Sequence, residues 1–231
     1  MLILGLDTAT WTAAVGIARD GAVLAEAVHR GARSHADTLP TLVERALTEA
    51  GSTIEDLDAL AVSIGPGSFT GLRVGLALAK GIAFAGRLPL VPVPTLEALA
   101  WVAEATSGET VCAALDARKR EVYAAFFRVD AGGRPCRLTP DVTLAPQELA
   151  ARLEEGTILV GDAAQAYEDV LGSRATHRPF ATHHPSGGVV ARLGAERLLA
   201  GHAIQPESGL GALEPVYVRP PDAELPRPAS R

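Results

Sequence analysis

"VCAALDARKREVYAAFFRVDAGG", residues 111–133, decides the fold, because the chain has already run through the same plan once. It reads as a strand ending on Leu115-Asp116, a turn over Ala117-Arg118-Lys119-Arg120, a second strand and a glycine turn. Residues 2–21, "LILGLDTATWTAAVGIARDG", read alike: a buried strand ending on Leu6-Asp7, a turn over Thr8-Ala9-Thr10, a second strand and a turn. The later elements of each half repeat in order too. After the first copy, "AVLAEAVHRG" alternates apolar and polar residues, as a half-buried strand does. A helix over roughly residues 35–50 then carries Leu39, Leu42, Val43, Ala46 and Leu47 at helical spacing. Ser34 and Asp37 resemble a capping box at its start, and Pro40 could delay its first turn. "LDALAVSIG" reads as a strand, "TGLRVGLALAKGIAFAG" as a helix, "LPLVPVP" as a strand and "TLEALAWVAEAT" as a helix. After the second copy come "RPCRLTPDVTL" as a third strand and "PQELAARLEEG" as a helix. "TILVGDA" then reads as a strand, "AQAYEDVLG" as a helix, residues 175–181 as a short strand and "GGVVARLGAERLLAG" as a helix.

Each half therefore reads βββαβαβα, and the predicted fold is α/β, a duplication with the second half reduced. We expect a first lobe over residues 1–107, a smaller second lobe over 108–204 with a hinge near Gly108, and a partly irregular, Pro-rich tail over 205–231 containing Pro206, Pro215, Pro220 and Pro221. Two such lobes are the architecture of the actin, Hsp70 and sugar-kinase superfamily (the actin-like ATPase fold). Its working members bind ATP between the lobes, on the turns of the two first hairpins. Those turns usually contain glycine, because backbone must approach the phosphates closely. Neither turn here has one. The expectation is a vestigial nucleotide cleft marked by Asp7, Thr8, Thr10 and Asp116, with the two aspartates hydrogen-bonded to their own turns.

The chain has 231 residues, is 48% hydrophobic and carries a formal charge of −6. Those numbers suit one large domain or two small ones, and they argue against tight binding of phosphate backbones by this chain alone. Lys80 and Lys119 are its only lysines. Arg118-Lys119-Arg120 is the one compact basic cluster, expected as a solvated hairpin tip. Cys112 and Cys136 show no metal-ligand spacing. No basic leader precedes Asp7, and no apolar run approaches the roughly 20 residues of a membrane span. A cytoplasmic protein without membrane contact is expected. His29, His35, His177, His183, His184 and His202 contain no His-x-x-x-His. His183-His184 read as a solvated loop, and His35 as a residue at a helix start.

"SIGPGSFTGLRVGLALAKG", residues 63–81, has the outline of a phosphate loop but not its spacing. No frame fits G-x-x-x-x-G-K-[ST], and a G-x-G-x-x-G would need glycine at Thr70. Pro66 can set a turn, Gly67 can supply positive φ, and Ser68 or Thr70 can cap the helix. Gly75, Ala79 and Ala83 recur every fourth residue and form a small face. Gly75 costs the helix about 0.8–1 kcal/mol against alanine, which close packing could offset. Whether the helix packed there belongs to this chain or another is open from the residues alone. Arg73 opposes the helix dipole, so it either pairs with a carboxylate across an interface or reaches water.

"LGLDTAT", "GPGSFTGLRVGLALAKG", "TLEALA" and "LDARKREVYAAFF" together resemble the bacterial TsaB (YeaZ) family. The resemblance covers the first lobe and the first hairpin of the second. It implies a place in the machinery that makes threonylcarbamoyladenosine in tRNA. The catalytic paralogue, TsaD, carries a metal-binding His-x-x-x-His after its fifth strand. "TLEAL" stands there in this chain, with Thr95 and Leu99 at the ligand positions. The resemblance thus implies a non-catalytic scaffold with no cofactor of its own, ATP and a metal belonging to partner subunits. The implied partners are a TsaD-like catalytic subunit and a TsaE-like ATPase, with tRNA reached only through the complex and a homodimer in isolation. The expected contact surface is Leu39, Leu42, Val43 and Leu47 of the first helix with Leu72, Arg73, Gly75, Leu76, Ala79 and Ala83 of the second. Two alternatives are a nucleotide-dependent phosphotransferase of the same fold and a metallopeptidase. Glycine-poor turns count against the first and missing metal ligands against the second.

Overall fold

A computed structural model describes residues 1–31, 35–207 and 209–218. The first half runs β1 (Leu2–Asp7), β2 (Thr12–Arg19), β3 (Ala22–Arg30), α1 (His35–Glu49), β4 (Ala59–Ser63), α2 (Phe69–Gly86), β5 (Leu90–Val93) and α3 (Thr95–Trp101). The second runs β6 (Thr110–Arg118), β7 (Glu121–Val129), β8 (Pro135–Arg137), β9 (Val142–Leu144), α4 (Pro146–Arg152), β10 (Ile158–Val160), α5 (Ala163–Ala166), α6 (Glu168–Leu171), β11 (Thr176–His177) and α7 (Gly187–Leu199). The predicted βββαβαβα order is present in both halves. Ser34, Pro220 and Pro221 lie outside the described residues.

The first sheet has the order β3-β2-β1-β4-β5, and the second β11-β10-β6-β7-β8. β1 pairs antiparallel with β2 and parallel with β4, as β6 does with β7 and β10. The duplication therefore holds in strand pairing as well as in element order. The predicted third strand of the second half is two short strands, β8 and β9, both on β7. Between them Thr139 Oγ1 accepts the Phe126 amide. The helix expected over 164–172 is two single turns, α5 and α6.

β1 is buried on both faces. Leu2, Leu4 and Leu6 share a core with Leu39, Leu42 and Val43 of α1 and Leu76, Ala79 and Ala83 of α2. Ile3 faces the other way, onto Val190, Ala191 and Leu193 of α7. α7 ends the second half in sequence, yet it covers the first sheet. α3 ends the first half, yet Leu96 and Leu99 pack with Val111, Ala113 and Phe127 of the second sheet. Each half thus lends its last helix to its neighbour. The two lent helices meet: Arg192 of α7 lies 3.8 Å from the Trp101 ring centroid, and Arg197 Nη1 is 3.6 Å from Glu97 Oε2.

The crossing of α7 over β1 and β2 is made by backbone. A Cβ at Gly5 would run into Gly187 O, and one at Gly16 into Gly188 N. Glu26 of β3 holds the helix start, accepting from the Ser186 hydroxyl at 2.6 Å and the Gly188 amide at 3.2 Å. The described part of the tail is irregular in outline but packed. Leu210 enters the first core, and the Val216 amide donates to Ile64 O at 2.7 Å.

Candidate functional site

The glycine-rich stretch connects β4 to α2, and its glycines seat the turn between β1 and β2. Thr8 Oγ1 donates to Gly71 O at 2.8 Å, and the Ser68 amide donates to Ala9 O at 2.7 Å. A Cβ at Gly71 or Gly75 would strike Thr8, and one at Gly67 would strike Ala9. The positive φ expected at Gly67 belongs to Gly65, at 120°. Gly67 is needed for close approach instead. Ser68 caps α2, accepting from the Gly71 amide at 3.2 Å.

This seating corrects the expected contact surface. Gly75, Ala79 and Ala83, with Leu72 and Leu76, are buried within the chain, and so are Leu39, Leu42, Val43 and Leu47. Side chains already covered by their own sheet have little surface left for a second chain. The expected face points inward because Thr8 and β1 occupy the groove it opens. α2 has another small stripe, Ala77, Gly81 and Ala85, and that one faces solvent. Nothing lies within 4 Å of a Cβ built at Gly81. Half-buried Val74, Leu78 and Ile82 flank the stripe, and Phe84 is 73% exposed. Leu78 and Ile82 also line a hollow against Pro40, Val43 and Leu47 of α1. Among the described residues Arg73 meets no carboxylate. Its guanidinium stacks on Phe69 at 3.7 Å, and Nε donates to Tyr217 Oη at 3.0 Å.

A cleft of about 600 Å³ opens between the lobes. Thr10, Trp11, His35, Ser68, Thr70, Asp116, Arg118 and Asp162 are among its lining residues. Asp7 closes β1, and its Oδ1 accepts the Ala9 amide at 3.0 Å; Asp116 does the same for the Arg118 amide at 2.8 Å. Thr10 Oγ1 accepts the Thr12 amide at 3.1 Å. Amides that could have met a phosphate are thus taken by the turns themselves, and the Ala9 methyl is pressed against Gly67. Arg118, Lys119 and Arg120 form an exposed tip with φ of 62°, 53° and 61°. Left-handed backbone costs each roughly 1–2 kcal/mol, so the tight hairpin is held by what surrounds it. Arg118 Nη1 lies 3.1 Å from Asp116 Oδ2, and Tyr167 Oη donates to Asp116 Oδ1 at 2.9 Å.

Burial pushes the Asp7 carboxyl above its ordinary value, with the Ser63 hydroxyl, the Ala9 amide, His184 and His35 pulling the other way. Burial likewise pushes Asp162 up to about 6, aided by the charge of Asp116, although Asp162 Oδ1 accepts the Asp116 amide at 2.9 Å. His35 Nε2 is 2.9 Å from Thr10 O, so it joins the cleft wall to α1. His184, expected in a solvated loop, is only 8% exposed. It lies edge-on to Phe180, which packs on Trp11. Its direct partners, Phe180 and Pro185 O, are local, but the Trp11 ring that completes this packing comes from the other half of the chain.

Thr95 and Leu99 have structural work of their own. Thr95 clamps Gly65, its hydroxyl accepting the Gly65 amide at 3.0 Å and its amide donating to Gly65 O at 2.9 Å. Leu99 is core of the second lobe. A hydroxyl and an isobutyl group used this way do not fit a transition metal. Among the described residues, no group of three His, Cys, Asp or Glu is placed to hold one.

Two lobes of one topology, exchanged terminal helices and a cleft between the first hairpins define a protein of the actin-like ATPase fold, in which each first-hairpin aspartate accepts an amide of its own turn. A Thermus thermophilus ROK hexokinase shares that fold alone, at 14% identity and a TM-score of 0.50 over 87% of this chain and 100% of its own. Residues 22–135 match the family described as "TsaD: tRNA N6-adenosine threonylcarbamoyltransferase". The tRNA threonylcarbamoyladenosine biosynthesis protein TsaB of Escherichia coli (strain K12) is 36% identical over 174 residues, 74% of this chain and 75% of that one. TsaB of Bacillus subtilis (strain 168) is 30% identical over 215 residues, 90% of this chain and 93% of that one. YeaZ from Pseudomonas aeruginosa superposes with a TM-score of 0.79 at 28% identity, over 94% of this chain and 99% of that one. The chain belongs to the TsaB (YeaZ) family.

Proposed function

We propose that this chain acts in tRNA threonylcarbamoyladenosine biosynthesis as a non-catalytic subunit that binds and activates a TsaD-like catalytic partner. Family membership supports the pathway, and the outward face of α2 supports the docking. In this reading a partner helix lies along Ala77, Gly81 and Ala85, with Leu78, Ile82 and Phe84 as its apolar walls. By length and composition α2 could cross a membrane, at 18 residues and a mean hydropathy of 1.2. Its inner face is committed to the first sheet, however, and leaving would dismantle that core. Protein docking explains an apolar outer face without such loss.

In isolation the same face pairs two copies of the chain, since a two-fold contact needs only self-complementarity. A TsaE-like ATPase completes the assembly in the cytoplasm, tRNA is reached only through the complex, and ATP and a metal belong to the partner subunits. Gly81→Leu and Ala79→Leu test the reading as a pair. Gly81→Leu, facing open space, should keep the parent's thermal melt but weaken pull-down of the TsaD-like partner by about tenfold or more. Ala79→Leu should destabilise the fold by about 1–3 kcal/mol through overpacking. Undiminished capture by well-folded Gly81→Leu would overturn docking through α2.

A further inference from the structure

The second lobe leaves part of its sheet uncovered. α1 has 15 residues, but its counterpart α4 has 7, succeeded by the single turns α5 and α6. Those short helices cover Cys112, Ala114, Ala124 and Leu159. They stop short of the sheet's lower end, where Thr110 pairs with Arg128. A hollow of about 290 Å³ remains there, with Phe126, Leu138 and Val142 as its apolar lining and Arg128, Arg152 and Thr157 among its polar residues. Leu138 is 54% exposed over it. Its rim is fixed, since the Leu138 amide donates to Phe126 O at 2.8 Å beside the Thr139 bond described above.

The charge in this hollow is unbalanced. The guanidiniums of Arg128 and Arg152 have no ion-pair or hydrogen-bond partner among the described residues, whereas Arg137 nearby is paired with Asp141. Glu154 is the one carboxylate in the lining. An apolar floor with two unpaired guanidiniums matches an anion with a flat apolar body: guanidinium takes a carboxylate in parallel hydrogen bonds, and a ring can rest on Phe126. We propose that this hollow is a binding site for small aromatic carboxylates, with Arg128 and Arg152 taking the carboxylate and Phe126, Leu138 and Val142 the ring. It is separate from both the cleft and the outer face of α2.

Calorimetric titration of the full chain with naphthalene-2-carboxylate tests this, with neutral naphthalene-2-methanol as the control. The acid should bind more tightly than about millimolar. The alcohol, and the acid with the Arg128→Gln/Arg152→Gln chain, should each bind at least about tenfold more weakly. Amide shifts should centre on Thr110, Phe126 and Thr157. Equal affinity for acid and alcohol, an unaffected double variant, no binding at about millimolar acid, or shifts centred on Thr10 and Asp116 would each overturn the site. Phe126→Leu keeps both arginines and should also weaken the acid, so the outcome does not depend on the double variant folding. Partner capture should be unchanged in all these variants.

Discussion

At the scale of single residues, the two Leu-Asp pairs announce equivalent places in two lobes, and the structure gives their carboxylates the same hydrogen bond to the amide two residues on. That equivalence was legible because it is local: an aspartate at a strand end satisfies its own turn. Asp162 was not, since its carboxylate answers to Asp116 across the sheet. It also makes a pH prediction. Folded Asp162 holds its proton up to about 6, against an ordinary 3.8. Its contribution to stability is therefore complete below the ordinary value and is lost as pH rises through about 6. Buried Asp7 acts in the same direction. Asp162→Asn keeps an oxygen for the Asp116 amide and removes the charge. We expect it to be more stable than the parent at neutral pH by about 1–3 kcal/mol, with a flatter fall in Tm between about pH 4 and 6. A variant that melts below the parent at neutral pH would show that the charged form is the one the fold requires. His184 was illegible for a related reason: two adjacent histidines carry no local pattern that says which one will be buried.

At the scale of elements, strand and helix order could be read almost whole from periodicity. The facing of α2 could not. The helix is apolar most of the way round and carries two small-residue stripes, so spacing alone does not say which turns inward. Thr8 decides it, by filling the groove over Gly71 and Gly75. The glycines where α7 crosses β1 and β2 show the same kind of contact, backbone on backbone. Gly16→Ala should cost about 1–3 kcal/mol in urea unfolding, because the blocking atoms are main chain and cannot rotate away. Gly81→Ala, in open space on α2, should instead gain about 0.5–1 kcal/mol. If both substitutions prove equally mild, the α7 crossing is looser than its geometry indicates.

At the scale of the molecule, two lobes and a cleft were legible, but the exchange of α3 and α7 was not. Sequence order assigns each helix to the half that ends with it, whereas packing assigns it to the sheet whose open face it fits. The cleft keeps its volume while its first hairpin turns spend their amides on Asp7, Thr10 and Asp116. Calorimetric titration with ATP should therefore show binding no tighter than about millimolar. A micromolar constant would mean that the turns reopen for phosphate.

The helix exchange also sets the order in which the protein can be made. Residues 1–107 leave the ribosome long before α7 exists. Until α7 arrives, the sheet face bearing Ile3, Ala61, Val91 and Val93 lacks Val190, Ala191 and Leu193, and of the helices only α3 touches it, through Ala98 and Trp101. The nascent first half is therefore a sticky intermediate that needs sheltering, and its completion depends on contacts between the two ends of the chain. A chain permuted to begin with Gly187 would meet its first sheet already carrying the missing cover.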